Sequence, residues 1–238
     1  MSSEIVKDLR TELKEKSKSE VKKSFNRFFK EEEKIKCYGL KSEEVRVISQ
    51  KYYKKIKDLP KEKIFELCEN LLSSGYTEET FIASSWCYKL KNSFTESDFE
   101  LFKNWVDKYI DNWAKCDSFC CRNVGALIEK YPDCARKLKK WAKSKNKWLM
   151  RASAVSLINV AKKGKYLEEI FEICDILLVE KEDLVQKGYG WLLKVSSKKN
   201  EDKVFEYVLL RKDKMPRTSL RYAIENMPPD RKKLLIEK

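Results

Sequence analysis

The sequence contains no histidine, and only six glycines and five prolines in 238 residues. Without histidine there is no usual general base, no Ser-His or Cys-His nucleophile pair, and none of the commonest zinc ligand. Side-chain chemistry must then run on carboxylates, lysine, tyrosine, cysteine or electrostatics. So little glycine and proline argues against a loop-rich sandwich or barrel. No apolar run approaches the roughly 18 residues of a membrane span. The stretch Met1–Lys23 is charged throughout and lacks the apolar segment of a secretory signal. Cys116, Cys120 and Cys121 cluster, yet no C-x-x-C pair occurs. The eight cysteines therefore read as reduced core thiols of a cytoplasmic protein, with no metal and no cofactor expected.

What is abundant is charge. Charged residues make up 38% of the chain, and 52 Lys and Arg against 38 Asp and Glu leave a net charge of +14. Such an excess favours a polyanionic partner, most often nucleic acid and less often a membrane surface. The apolar residues recur at helical rather than alternating spacing, which predicts an all-α chain.

Taken in order, residues 3 to 31 read as one or two basic amphipathic helices ending at Phe28-Phe29, followed by a solvated acidic turn, Glu31-Glu32-Glu33. Cys37 to Leu40 reads as a turn, and Ser42 as the N-cap of a helix carrying Val45, Ile48, Tyr52 and Ile56 on one face. Pro60 starts the next helix and Gly75 stops it. Thr77 opens another, and Thr95-x-x-Asp98 resembles a capping box. The segment from Trp113 continues to Tyr131, and a short helix follows Pro132. A helical stretch from Lys147 to Ala161 stops at Gly164. Pairs at 166–179 with 183–198 and at 201–213 with 216–226 complete the series, and Pro228-Pro229 precedes a short basic tail. Helix pairs recurring every 35 to 40 residues predict one domain, 1–238, built as a HEAT-like or armadillo-like solenoid of antiparallel pairs with a concave basic groove. An open groove and solenoid ends suggest a monomer.

Trp113 and Asp117 lie one turn apart on one helix face. An indole face beside a carboxylate suits a cation or developing positive charge. By themselves the two also fit a packed tryptophan and a solvated or capping carboxylate. Asp117 and Arg151 are 34 residues apart, and Arg151 and Trp191 are 40 apart. Near-equal phase in successive repeats would bring Trp113, Asp117, Arg151 and Trp191 to one groove. Trp86, Trp105, Trp141 and Trp148 read as packing residues.

Four motifs carry a resemblance: Asn112-Trp113-x-x-x-Asp117; Lys140-Trp141-x-x-Ser144-x-Asn146-x-Trp148-x-x-Arg151-Ala152; Val185-Gln186-Lys187-x-x-Gly190-Trp191-x-x-Lys194; and Arg217-x-x-x-Arg221-x-Ala223. In this order and spacing the chain resembles the AlkD-like DNA alkylation-repair glycosylases, from about Tyr38 to Asn226. The resemblance implies a HEAT-like solenoid that holds duplex DNA and hydrolyses the N-glycosidic bond of cationic alkylpurines such as 7-methylguanine and 3-methyladenine. It implies that Trp113, Asp117 and Trp191 surround the lesioned nucleotide's sugar and that Arg151 grips the DNA backbone. It further implies that the base need not be flipped into a pocket. Groove phase adds Lys187, Lys194, Arg217 and Arg221 as DNA-binding residues. There are two departures. Lys194 stands where arginine is expected, keeping the charge but losing the bidentate fork, and the proline expected after the Tyr38-Gly39 turn is absent.

A ring-alkylated purine already carries positive charge and leaves as a neutral base. No general acid is then needed, and the missing histidine is no obstacle. Two other readings use the same residues. One is a non-catalytic repeat module that binds distorted or branched DNA, and the other is a scaffold for an acidic protein. Release of 7-methylguanine from methylated duplex separates the first from the enzyme. Failure to bind duplex at low salt marks the second.

Overall fold

The computed structural model describes residues 2–29 and 35–237. The expected acidic turn at Glu31–Glu33 lies outside them. The described residues form sixteen α-helices and no strand. No described helix is long and apolar enough to cross a membrane. The backbone groups into two compact units, Met1–Phe94 with Lys108–Phe119, and Thr95–Asp107 with Cys120–Lys238.

The first unit contains α1 (Ser2–Glu15), α2 (Ser19–Asn26), α3 (Ser42–Ile56), α4 (Lys61–Ser73) and α5 (Thr77–Lys89). After α6 (Asp98–Tyr109), which leads back into it, comes α7 (Trp113–Phe119). The expected apolar faces are the buried ones: Val45, Ile48, Tyr52 and Ile56 on α3, and Ile64, Leu67, Cys68, Leu71 and Leu72 on α4. Each such aliphatic side chain contributes about 1.5–3 kcal/mol on full burial. Gly75, at φ 75°, ends the α4 hairpin as expected, because the left-handed conformation costs a Cβ-bearing residue about 1–2 kcal/mol. One cap differs from expectation. Lys41 is the N-cap of α3 and its N–H donates to the Glu44 carboxylate at 2.8 Å, so Ser42 falls inside the first turn.

Two adjacent buried carboxylates at the start of α5 organise this unit. Glu78, 5% exposed, accepts from the backbone N–H groups of Tyr38 (3.0 Å), Gly39 (2.8 Å) and Leu40 (3.3 Å). Glu79, fully buried, accepts from the Tyr38 hydroxyl at 2.7 Å and pairs with Arg10 of α1 at 2.9 Å. Burial and the Glu79 carboxylate push the Tyr38 phenol well above its ordinary range, so it stays a donor. Gly39 sits at φ 92°, and a Cβ there would lie 2.5 Å from the Lys18 carbonyl. Only glycine lets α2 come this close. Ser17 Oγ donates to the Tyr38 carbonyl, and Lys18 N–H to that of Gly39 at 3.3 Å.

The second unit begins with the body of α6 and continues from a π turn at Cys120–Val124 through α8 (Gly125–Lys130), α9 (Asp133–Ala142), α10 (Lys147–Val155) and α11 (Ile158–Ala161). It ends with α12 (Leu167–Leu177), α13 (Asp183–Ser197), α14 (Glu201–Leu209), α15 (Arg217–Ala223) and α16 (Pro229–Ile236). Thr95 N–H donates to Asp98 at 2.8 Å, the expected box. Helix α13 packs against α10, α12, α14 and α15. Two elements differ from expectation. The stretch 147–161 is broken between α10 and α11, where the Val155 carbonyl is taken by the Cys121 thiol at 3.2 Å and the ladder slips. The tail after Pro228-Pro229 is a helix, because proline fits a first helical turn. Leu235 of that helix is buried, and Arg231 reaches Asp202 at 2.5 Å and Glu201 at 3.1 Å.

All eight cysteines stand as thiols rather than disulfides, and seven are buried. Burial raises the pKa values of Cys68 and Cys174, which keeps them protonated.

Removing Arg10 strips the cation from a buried carboxylate. The loss on breaking such a pair is about 3–5 kcal/mol when both members are buried. Arg10 is about one-third exposed, so Arg10→Ala should cost about 2–3 kcal/mol, read as a lower urea midpoint with unchanged slope.

Candidate active site

Helix α7 is short, and its residues face two ways. Lys115, Cys116 and Phe119 are buried, whereas Trp113, Ala114, Asp117 and Ser118 are half-buried. Trp113 and Asp117 therefore share the accessible face, as their spacing predicts. Asn112 caps the helix: its Oδ1 accepts from the Lys115 N–H at 3.0 Å, and its side chain is almost wholly buried.

Lys115 works on the opposite face. Its side chain is 1% exposed, and its ammonium donates to the Gly75 carbonyl at 2.7 Å and pairs with Asp111 at 2.8 Å. The carbonyl at the Gly75 turn thus receives a charge-assisted bond from α7, and the cation is satisfied without water. Near the far end of α7, Ser84 Oγ of α5 donates to the Ser118 carbonyl at 2.9 Å. Helix α7 is held at both ends, and its Trp113–Asp117 face is presented by fixed backbone. Phe29 also meets this face, its ring stacked on Trp113.

The second unit gathers the remaining expected residues around α13. Lys187, Trp191 and Lys194 recur at helical spacing along one side, and Trp191 is half-buried. Gly188 and Gly190 each permit a close approach. A Cβ on Gly190 would lie 2.7 Å from Tyr222 Cβ and 2.8 Å from the Ser219 carbonyl, so α15 can rest on α13 only because this residue is glycine. Tyr189 Oη lies 2.6 Å from Ser219 Oγ and ties the same two helices together. Burial raises the pKa of that phenol. The contact sets Arg217 and Arg221, both exposed and one turn apart on α15, beside α13.

At Gly188 the neighbour is Arg151. A Cβ there would lie 3.3 Å from Arg151 Cγ, and Arg151 Nη1 donates to the Leu184 carbonyl. Leu184, Gly188 and Trp191 follow one stripe of α13, so Arg151 lies along the stripe that ends in Trp191. Arg151 is only 6% exposed. The two lysines have acidic partners: Lys187 with Asp183 at 2.7 Å, and Lys194 with Glu225 at 2.9 Å. Lys194 also lies over the Tyr222 ring.

The six tryptophans sort as their motifs suggest. Trp86, Trp105, Trp141 and Trp148 are buried, while Trp113 and Trp191 are half-buried. Reading the sequence missed Asn112 as a cap, Lys115 and Ser84 as anchors, and Phe29 as a neighbour of Trp113. Asn112 had a local signal, an Asn three residues ahead of the amide it caps. The others had none, because lysine and serine are solvated by default and Phe29 is distant in sequence. Among the described residues no group of three His, Cys, Asp or Glu could hold a metal ion.

Residues 9–227 match the family model described as DNA alkylation repair enzyme. A solved structure described as a predicted DNA alkylation repair enzyme from Enterococcus faecalis superposes with a TM-score of 0.79 at 16% identity, covering 90% of this chain and 97% of that one. At that identity the likeness shows the fold alone. No curated protein matches the chain.

The anchoring of α7 can be tested directly. Lys115→Met keeps length and apolar volume but leaves the Gly75 carbonyl without its ammonium donor. Hydrogen bonds to charged groups contribute about 1.5–3 kcal/mol, so a stability loss of about that size is expected in urea denaturation.

Proposed function

Because the chain belongs to the DNA alkylation repair enzyme family, we propose that it is a monomeric, single-domain DNA glycosylase. Its substrates are cationic 7-methylguanine and 3-methyladenine in duplex DNA, and its reaction begins base excision. The observation that carries the reading is the accessible Trp113–Asp117 face of α7, held by Asn112, Lys115 and Ser84 on its other sides.

In this reaction the electron pair of the C1′–N bond leaves with the base and cancels its positive charge. The sugar acquires oxocarbenium character, and water adds at C1′. The Asp117 carboxylate stabilises the growing charge and takes the proton that the attacking water loses. The face of Trp113 adds cation–π attraction of about 0.5–2 kcal/mol. The base is neutral once it departs, so no acid is needed, consistent with a chain that has no histidine. Neutral lesions such as hypoxanthine or uracil should be released far more slowly than 7-methylguanine. Comparable rates would require an acid the site does not contain.

Phosphate contact is assigned to Arg217 and Arg221, the most exposed of the candidates, with Lys187 and Lys194 exchanging their carboxylate partners for phosphate. Arg151 packs against α13 at Gly188, donates to the Leu184 carbonyl and offers little surface to DNA. Each phosphate neutralised adds about −0.9 to the slope of log affinity against log salt. Arg217→Ala and Arg221→Ala should each reduce the slope by about that amount, measured by fluorescence anisotropy. A flat salt dependence in the wild type would favour the protein-scaffold reading.

The decisive variant is Asp117→Asn, which keeps size and loses charge. The carboxylate is attracted more strongly to the transition state than to the ground state, and only that difference accelerates the step. Excision of 7-methylguanine under single-turnover conditions should slow by about 10²–10³-fold, roughly 3–4 kcal/mol, with duplex binding unchanged. Equal rates would make Asp117 a structural residue and end the catalytic reading. Binding without any release by the wild type would leave a non-catalytic DNA-binding module.

A further inference from the structure

The N-terminal helix pair reaches the face of α7 that carries Trp113. The Phe29 ring stacks on the Trp113 indole with centroids 5.5 Å apart and planes at 26°. Phe25, one turn earlier, meets Phe29 at 5.0 Å. The chain closes tightly there, with Phe28 N–H donating to the Phe25 carbonyl at 3.2 Å and Phe29 N–H to that of Asn26 at 3.1 Å. Asn26 is in turn contacted by the Cys37 thiol at 3.8 Å, next to the turn held by Glu78. A continuous set of contacts thus runs from the two buried carboxylates through the Tyr38-Gly39 turn and α2 to the indole. Phe29 is itself half-buried, whereas its neighbour Phe28 is 69% exposed. Of the two rings, it is Phe29 that is committed to Trp113.

Trp113 needs such support. It is the first residue of a seven-residue helix, is half-buried, and carries a large ring on two rotatable bonds. A face that must meet a sugar has to be held in one orientation before substrate arrives. Stacking of one aromatic ring on another favours a single arrangement by roughly 2–10-fold in population.

We propose that Phe29 is a positioning residue of the excision reaction, fixing the plane of the Trp113 indole so that it is preset beside Asp117. The N-terminal helix pair is then part of the active site, although it lies 84 residues before Trp113 in the sequence. The inference rests on the reading that Trp113 faces the damaged nucleotide's sugar.

The test uses the full chain with Phe29→Leu, which keeps an apolar side chain without the ring, and Phe29→Tyr, which restores the ring. Phe29→Met replaces the leucine variant if that one does not fold. With 5-fluorotryptophan incorporated, Trp113→Ala identifies the Trp113 resonance by its disappearance. In the free protein that line should shift and broaden in Phe29→Leu and match wild type in Phe29→Tyr. Single-turnover release of 7-methylguanine should fall roughly 3–10-fold in Phe29→Leu, with duplex affinity within about twofold, and recover in Phe29→Tyr. In a Trp113→Ala background Phe29→Leu should slow release no further, since Phe29 acts through the indole. An unmoved Trp113 line, or the same slowing in both backgrounds, overturns the proposal. If the wild type releases no base, the glycosylase reading fails, and the resonance alone then decides whether Phe29 holds the indole.

Discussion

Two adjacent carboxylates, Glu78 and Glu79, set a constraint that the first unit must satisfy. Ionised carboxylates with almost no water contact are tolerable only when every lone pair finds a donor. Here the donors are three consecutive backbone amides, a phenol and a guanidinium. Those donors belong to the Tyr38-Gly39-Leu40 turn and to α1. Satisfying the charges therefore means bringing the N-terminal helix pair and this turn onto α5. The glycine at position 39 follows from the same demand, since α2 occupies the space a Cβ would need.

Helix α7 obeys a related rule with the opposite charge. The Lys115 ammonium is removed from solvent and given a carbonyl and a carboxylate. The return is orientational, because a seven-residue helix has little stability of its own and must be held by tertiary contacts. With Asn112 on the first turn and Ser84 on the last, one face of α7 is fully committed. The other bears Trp113 and Asp117, both half-buried. The π turn that follows is satisfied in the same manner, with the Cys121 carbonyl taking the Asn159 amide at 2.6 Å.

In the second unit the controlling quantity is volume. Gly190 lets the α15 backbone rest on α13, and Gly188 makes room for the Arg151 side chain. The first brings α15, which carries the exposed Arg217 and Arg221, onto α13, and the second packs the Arg151 side chain against the same helix. A side chain at Gly190 would push the α15 backbone off α13.

The sequence by itself determined the all-α class, most helix boundaries and which tryptophans are core. These follow from interactions within a few residues: apolar periodicity, the prolines at 60 and 132, the Thr95–Asp98 box, and the left-handed glycines at 75 and 164. The Trp113–Asp117 and Lys187–Trp191–Lys194 faces were legible for the same reason, since helical spacing alone puts their members side by side. Tertiary structure decided which charges are buried and which rings meet. Glu79 and Lys115 look like ordinary solvated residues until groups 40 to 69 positions away supply their partners. Phe29 reads as the end of a basic helix until the folded N-terminus lays it on Trp113. A charged or aromatic side chain is placed by its partners, and those partners are long-range contacts that no local pattern encodes.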